Sequence, residues 1–434
     1  MEHQTTARVK TQDLAEYRAR HTLESLCPHA VGFDATMPDP YPILAESRPT
    51  APVFYIPELA YWCITSWEGV AEVYRDPVSF SSAGMHNMSV PMPLEVRKTV
   101  GPDWDFNRVF KGQLNTTDPP QHTRIRKLMQ KAFTPRQVSG RTDDIRGIAT
   151  ELIASFAGDD EVELVSRYTS PVPTRVIALV LGMDLDLAPR FAAWVDAFFS
   201  LSASPEMSEG EALRHWSALV EFETITREFV ERRRRFPTDD LTSELIQAKS
   251  DDGEPSLTDD EVLANILGLI AAASDTTSIL IANVVYMLLR TKQWSEVVAD
   301  SGLVPGAVEE VLRLRSPVRG NRRTTTTDVS VCGVTIPAGE SVYIQIGSAN
   351  RDADVFAEPD TFDIRRANAA EHFGLGRWTH FCLGAPLARL EARLAVEALA
   401  ARFPQLTLRP GQENELPYSY NLVVPVLHSL HVTW

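Results

Sequence analysis

The chain has few cysteines. Cys27, Cys63, Cys332 and Cys382 stand far apart in 434 residues, and no two form a C-x-x-C pair. A zinc knuckle or an ordinary iron–sulfur site is therefore not expected. So few thiols in so long a chain fit a reducing cytosol better than a disulfide framework, and a cytoplasmic location is expected. There is also no Gly/Ser linker, no long run of like charge and no internal repeat. Length alone would suggest roughly two to four domains, but nothing divides the chain, so one large unit from residue 36 to 434 is expected. A basic excess is missing too: 58 acidic residues oppose 42 basic ones, for a net charge of −16. That excludes a general binder of nucleic acid or anionic membrane. The N-terminus MEHQTTARVKTQDLAEYRARH contains no apolar core, so no signal peptide is expected. Residues 1–35 read as an N-terminal extension, partly helical and partly loose.

What is present is 44% hydrophobic residues, enough for a large core. From Val262 to Leu289 the only charge is Asp275, and the stretch is long enough to span a bilayer. Its middle, however, reads Ser274-Asp275-Thr276-Thr277-Ser278, where a bilayer penalises polar groups most. Thr258 and Glu261 form a capping-box pattern just upstream. A helix through the centre of a soluble protein is expected, not a membrane span.

Residues 40–50 and 66–76 read as short helices, with Val53–Ile56 and Trp62–Thr65 as a strand pair between them. Residues 81–115 show no period and read as a long loop. Helical patterns dominate from Thr123 to residue 250, broken at Pro135, Pro171–Pro173, Pro205 and Pro237. VSVCGVTIPAGESVYIQI, from Val329, reads as two strands around a turn, and Asn421–Trp434 as strand. The fold class is mainly α with a minor β part.

Cys382 lies in HFGLGRWTHFCLGAPLARLEARL. Leu383, Leu387, Leu390 and Leu394 recur after it at helical spacing, and Pro386 suits a first turn. The cysteine thus sits where a glycine-containing loop runs into a helix, and unpaired N–H groups and the helix dipole there favour a thiolate. A buried, inert cysteine is the bland alternative.

This segment resembles the ligand loop of the cytochrome P-450 family, F-G-x-G-x-[HR]-x-C-x-G. Gly376, His380, Cys382 and Gly384 match in Leu375-Gly376-Arg377-Trp378-Thr379-His380-Phe381-Cys382-Leu383-Gly384, while Leu375 and Trp378 depart from it. Phe373-Gly374 supplies the Phe-Gly pair instead if the loop is two residues longer. Three further segments match in the family's order. Ala272-Ala273-Ser274-Asp275-Thr276-Thr277 is similar to [AG]-G-x-[DE]-T-T, with a threonine bonded back to its own helix as the alternative. Glu310-Val311-Leu312-Arg313 matches E-x-x-R, whose spacing puts both side chains on one helical face. His122-Thr123-Arg124-Ile125-Arg126 matches H-x-x-x-R. The resemblance runs from Pro38 to Trp434.

The resemblance implies a triangular, mainly helical prism with a small β-rich region, and a haem-thiolate monooxygenase. It implies non-covalent haem b with Cys382 as axial ligand, and His122, Arg126, Arg323 and His380 toward the propionates. Asp275 and Thr276 would guide protons to bound O2. Glu310 and Arg313 would be structural, locked with Arg366. By analogy Phe198, Val318, Arg319 and Leu422 line the pocket for a small, mainly apolar substrate. Arg319 has two readings: a bond to a propionate or backbone, or recognition of an acidic group on the substrate. The sequence contains no flavin or nucleotide motif, so a separate ferredoxin and ferredoxin reductase are expected to supply electrons. From Pro119 to Thr142 there is no acidic residue. Arg124, Lys127 and Lys131, joined by Arg389 and Arg393, would face that acidic donor. A peroxide-fed peroxygenase, a non-enzymatic haem sensor and, more distantly, a cysteine hydrolase are the competing functions.

Overall fold

The computed structural model describes residues 13–30, 32–83, 90–101, 104–105, 111–203, 207–249, 256–413 and 416–434. Its axis is the helix Asp259–Arg290, 32 residues and about 48 Å long at 1.5 Å per residue. The expected capping box starts it: Thr258 Oγ1 accepts the Glu261 N–H, and the Glu261 carboxylate accepts the Thr258 N–H. A helix apolar all round needs cover on every side, and 22 of these 32 residues are buried. Helices Pro171–Leu181, Ala188–Ala203, Val304–Leu314 and Ala385–Arg402 provide that cover. Among the described residues this is the one helix long and apolar enough to cross a membrane.

Prolines punctuate the helical half as expected. Pro135 and Pro171 open helices Pro135–Gly140 and Pro171–Leu181, where a missing N–H does no harm. Pro237 follows the end of helix Glu209–Arg235; Pro205 lies outside the described residues.

The β part is a five-stranded sheet in the order Val53–Ile56, Tyr61–Ile64, Ser341–Ile344, Asn321–Thr325, Phe80–Ser81. Its one parallel pair aligns Tyr61–Ile64 with Ser341–Ile344. Helices Leu14–Arg20 and Leu23–Leu26 lie against this sheet. The Tyr17 hydroxyl donates to Thr335 O at 2.8 Å, Arg18 pairs with Glu340 at 2.5 Å, and Thr22 bridges to Tyr55. Residues 1–12 and 31 of the expected extension lie outside the described residues, and these contacts tie the rest to the β part.

Three sequence expectations need correction. The stretch 81–115 contains helix Leu94–Val100, begun after Pro93 and ended at Gly101, where φ is +84°. Val96 is its only buried residue, so no apolar period betrayed it. The segment from Val329 forms three strands, because Val331 and Val334 pair across a two-residue turn at Cys332-Gly333. Both turn residues have positive φ, a conformation that suits Gly but is unusual for Cys. Asn421–Trp434 is strand only at Val426–Leu427 and His431–Thr433. Asn421 Oδ1 instead accepts the N–H groups of Val423 and Val424 in a local turn.

Candidate haem-binding site

The loop before Cys382 folds on itself in a way that resolves its register. Phe373 is fully buried, and its N–H donates to Asn350 Oδ1 at 2.7 Å. A Cβ on Gly374 would run into the Leu312 carbonyl oxygen, and Gly376 has φ +64°, so both positions require glycine. The Gly376 N–H returns to Phe373 O, and the Cys382 N–H to Leu375 O, each at 2.8 Å. Phe373-Gly374-Leu375-Gly376 is therefore the Phe-Gly-x-Gly element, and the loop is two residues longer than the family pattern. The extra length bulges outward as a 3-10 turn, Trp378–His380, with Trp378 42% exposed beneath the Arg75 guanidinium.

Cys382 leads directly into helix Ala385–Arg402. Burial pushes its thiol up, while the backbone N–H groups of Gly384 and Ala385 and the charges of Arg126 and Arg389 pull it down. A thiolate held by a cation would meet all four of these stabilising groups.

Beside it, helix Gln121–Gln130 brings His122 and Arg126 to one face. Arg126 donates to Phe381 O at 2.8 Å, which ties this helix to the cysteine loop. His122 is buried, and neither ring nitrogen has a hydrogen-bond partner among the described residues. Its ring lies 4.3 Å from that of His380, whose Nε2 meets Ser82 Oγ at 3.2 Å. Arg323 is 4% exposed, over the ring of Tyr74. Burial is the main cause that lowers Arg126 and Arg323 from their ordinary values. The buried Arg323, the half-buried Arg126 and two imidazoles, one with both nitrogens orphaned, form a site for anionic oxygen. That chemistry fits the carboxylates of a haem.

The central helix faces the same region. Along its middle the residues that keep surface are Gly268, Leu269, Ala272, Ala273, Asp275 and Thr276, which recur at helical spacing on one face. The Thr276 hydroxyl donates to Ala272 O at 2.6 Å, so the threonine is indeed bonded back to its helix. Asp275 makes no hydrogen bond among the described residues, and burial, helped by the charge of Asp196, raises its carboxyl.

Behind the loop, Glu310 and Arg313 are fully buried and doubly bonded, at 2.7 and 2.8 Å. Arg366 Nε adds a third bond to Glu310 at 3.0 Å, and Arg313 also donates to the carbonyls of Asn350 and Pro359. Asn350 was not picked out from the sequence. A lone asparagine gives no signal, yet its amide joins Phe373 of the loop to Leu312 of the E-x-x-R helix.

The pocket candidates are not gathered in one cluster. Phe198 is packed in the main helical core with Phe199 at 5.0 Å. Val318 packs on the sheet, and Leu422 on the separate cluster around Tyr343. Arg319 donates to the backbone carbonyls of Met37 and Pro38 at 3.1 and 3.4 Å. Of the basic residues expected to face outward, Arg124 instead pairs with Glu261 at the start of the central helix. Arg389 is held by both oxygens of Glu309, at 2.5 and 2.9 Å. Lys127 and Lys131 lie on the surface.

The family description "Cytochrome P450" matches residues 107–300 and 296–429. Cytochrome P450 107B1 of Saccharopolyspora erythraea is 35% identical over 376 residues, 86% of this chain and 88% of that one. Vitamin D(3) 25-hydroxylase of Pseudonocardia autotrophica is 34% identical over 400 residues, 91% of this chain and 94% of that one. Among solved structures, cytochrome P450 CREJ in complex with (4-ethylphenyl) dihydrogen phosphate superimposes with a TM-score of 0.84 at 30% identity, covering 93% of this chain and all of that one. The chain belongs to the cytochrome P450 family. It is a monooxygenase that uses haem b ligated through a cysteine thiolate.

Proposed function

We propose that Cys382 is the axial ligand and that the enzyme inserts one oxygen atom of O2 into a C–H bond of a small, mainly apolar substrate. The observation that carries this reading is the convergence of the Cys382 loop with the orphaned His122 and buried Arg323. Two electrons and two protons balance the reaction, in which one oxygen atom enters the product and the other leaves as water. We assign the electrons to a separate ferredoxin and its reductase, and the protein to the cytoplasm. We read residues 36–434 as one catalytic unit, and Asp259–Arg290 as a core helix because protein covers it.

Haem, when bound, supplies O2 binding and reductive activation, with the thiolate favouring O–O cleavage. His122, Arg126, Arg323 and His380 would hold its carboxylates and so fix its orientation. Because the Thr276 hydroxyl donates to Ala272 O, its lone pairs remain available to accept a proton donor. Asp275, with its raised carboxyl, keeps a proton closer to neutral pH and would pass it on at Thr276 Oγ1. Hydroxylation of a multi-carbon apolar substrate agrees with the activity named for the vitamin D(3) relative.

The test is a panel of apolar candidates screened by the shift of the Soret band. Each hit is then assayed for oxygenated product with NAD(P)H, a ferredoxin and its reductase. Product formed only from peroxide, and none with the electron-transfer chain, would overturn this reading.

A further inference from the structure

A cavity lies between the carboxyl-terminal half of the central helix, the turn after Arg313 and the segment around Tyr418 and Tyr420. Its volume is about 680 Å³, within the range of small-molecule sites. None of the residues assigned to the haem lines it. Four arginines do: Arg290, Arg315, Arg319 and Arg351, against two aspartates, Asp39 and Asp360. In a chain of net charge −16 this is an inversion of local sign.

The aspartates do not neutralise the arginines. Arg351 Nε meets Asp360 at 3.0 Å, but Arg290, Arg315 and Arg319 have no carboxylate in ion-pair reach among the described residues. Asp39 is engaged with the N–H of Tyr41. Arg319 is the sharpest case. It is 4% exposed, its Nη2 is occupied by the two carbonyls, and its Nη1 has no partner. Arg351 Nη1 is likewise without a partner. Buried charges left uncompensated are rare, and an added anion relieves them.

Four aromatic residues, Tyr41, Phe362, Tyr418 and Tyr420, share the lining with prolines and aliphatic side chains. The guanidinium of Arg351 lies 3.8 Å from the centroid of Tyr41, and that of Arg319 lies 5.0 Å from Tyr420 and 5.8 Å from Tyr41. Flat faces and guanidinium planes together accept a flat, charged guest. We propose that this cavity binds an aromatic carboxylate, its two oxygens toward Arg319 and Arg351 and its ring among Tyr41, Tyr418 and Tyr420. The proposal concerns a site apart from the haem and stands whether or not the substrate reading is right.

The probe is benzoate, titrated calorimetrically into holoenzyme whose haem pocket is saturated with an azole ligand. Acetate tests charge without a ring, and benzyl alcohol tests a ring without charge. Benzoate is expected to bind at least tenfold more tightly than either, one per chain, with the haem spectrum unchanged. Arg319→Met should weaken it at least tenfold. Because Arg319 also holds backbone carbonyls, Arg290→Gln and Arg315→Gln serve as milder variants, each expected to weaken benzoate about threefold. Binding equal to that of acetate or benzyl alcohol, or unchanged in all three variants, would overturn the proposal. So would benzoate binding that displaces the azole.

Discussion

The rings of His122 and His380 face each other at 4.3 Å, tilted by 50°. Burial, then the charge of Arg126, pushes His122 down to about 4. Burial, then Arg323, His122 and Arg126, pushes His380 down to about 3. Both imidazoles are thus neutral at physiological pH, and the positive charge of this corner resides on the two arginines. Carboxylates would meet fixed cations here with imidazole nitrogens beside them, and their own charge would raise both imidazoles again.

Cys382→Ser should abolish the thiolate signature in the spectrum of the reduced, carbon monoxide-bound protein. Replacing Cys27, Cys63 or Cys332 should leave it intact. Only Cys382 has its N–H closed onto a glycine turn and its carboxyl side in a helix. A normal spectrum from Cys382→Ser would refute the assignment.

Glu310→Ala should destabilise the fold by about 3–5 kcal/mol, because it leaves Arg313 and Arg366 as buried cations without their carboxylate. The measurement is the denaturant midpoint. A loss below about 1 kcal/mol, the range of exposed pairs, would show that the triad contributes little.

Thr276→Ala should fold and bind haem normally, since its hydroxyl bonds only its own helix carbonyl. It should divert reducing equivalents to peroxide, lowering product per NAD(P)H. Equal yield in variant and parent would remove Thr276 from proton delivery.

Acid stability should depend on Glu309. The nearby His372 ring, with Nε2 at 3.4 Å, and the bonds from Arg389 outweigh burial and hold its carboxyl at about 2, below the ordinary 4.5. A depressed folded value means the stabilisation is complete above about 4.5 and is lost as pH falls toward 2. At ~1.4 kcal/mol per factor of ten, reduced by solvent screening of this partly exposed pair, the loss is about 1–2 kcal/mol. His372, lowered chiefly by burial, changes stability in the same direction. Urea midpoints at pH 5 and pH 3 should therefore differ less in Glu309→Gln than in the parent. Parallel pH profiles would count against the pair.

Lys127→Glu and Lys131→Glu should slow the first electron transfer from an acidic ferredoxin at low salt and leave substrate binding unchanged. Steering of this kind acts on association and is screened by salt. Arg124 is excluded from that role by its pairing with Glu261. Stopped-flow reduction rates that match the parent at low and high salt would rule out this face.

Much of the site was legible because its chemistry needs side chains at fixed helical spacing. Thr258 with Glu261 and Glu310 with Arg313 lie within one turn and are bonded, and His122 and Arg126 share one helix face, so sequence separation translates directly into placement. What escaped depends on partners far along the chain. Arg124 could not be told from a solvated cation until Glu261 stood beside it. Helix Leu94–Val100 and the turn at Cys332-Gly333 are too short to carry a period, and the latter uses a residue that turn chemistry disfavours.

The longer cysteine loop has a consequence for how the family is recognised. Its sulfur is positioned by a ring of hydrogen bonds, Gly376 to Phe373 and Cys382 to Leu375, that closes inside the protein. Trp378 and Thr379 lie between the two fastenings, outside the part that must keep its dimensions. Residues can therefore be added at this one place without moving the ligand. A rigid pattern that fixes the interval from the Phe-Gly pair to the cysteine would miss this loop, whereas one that asks which amide closes on which carbonyl would accept it.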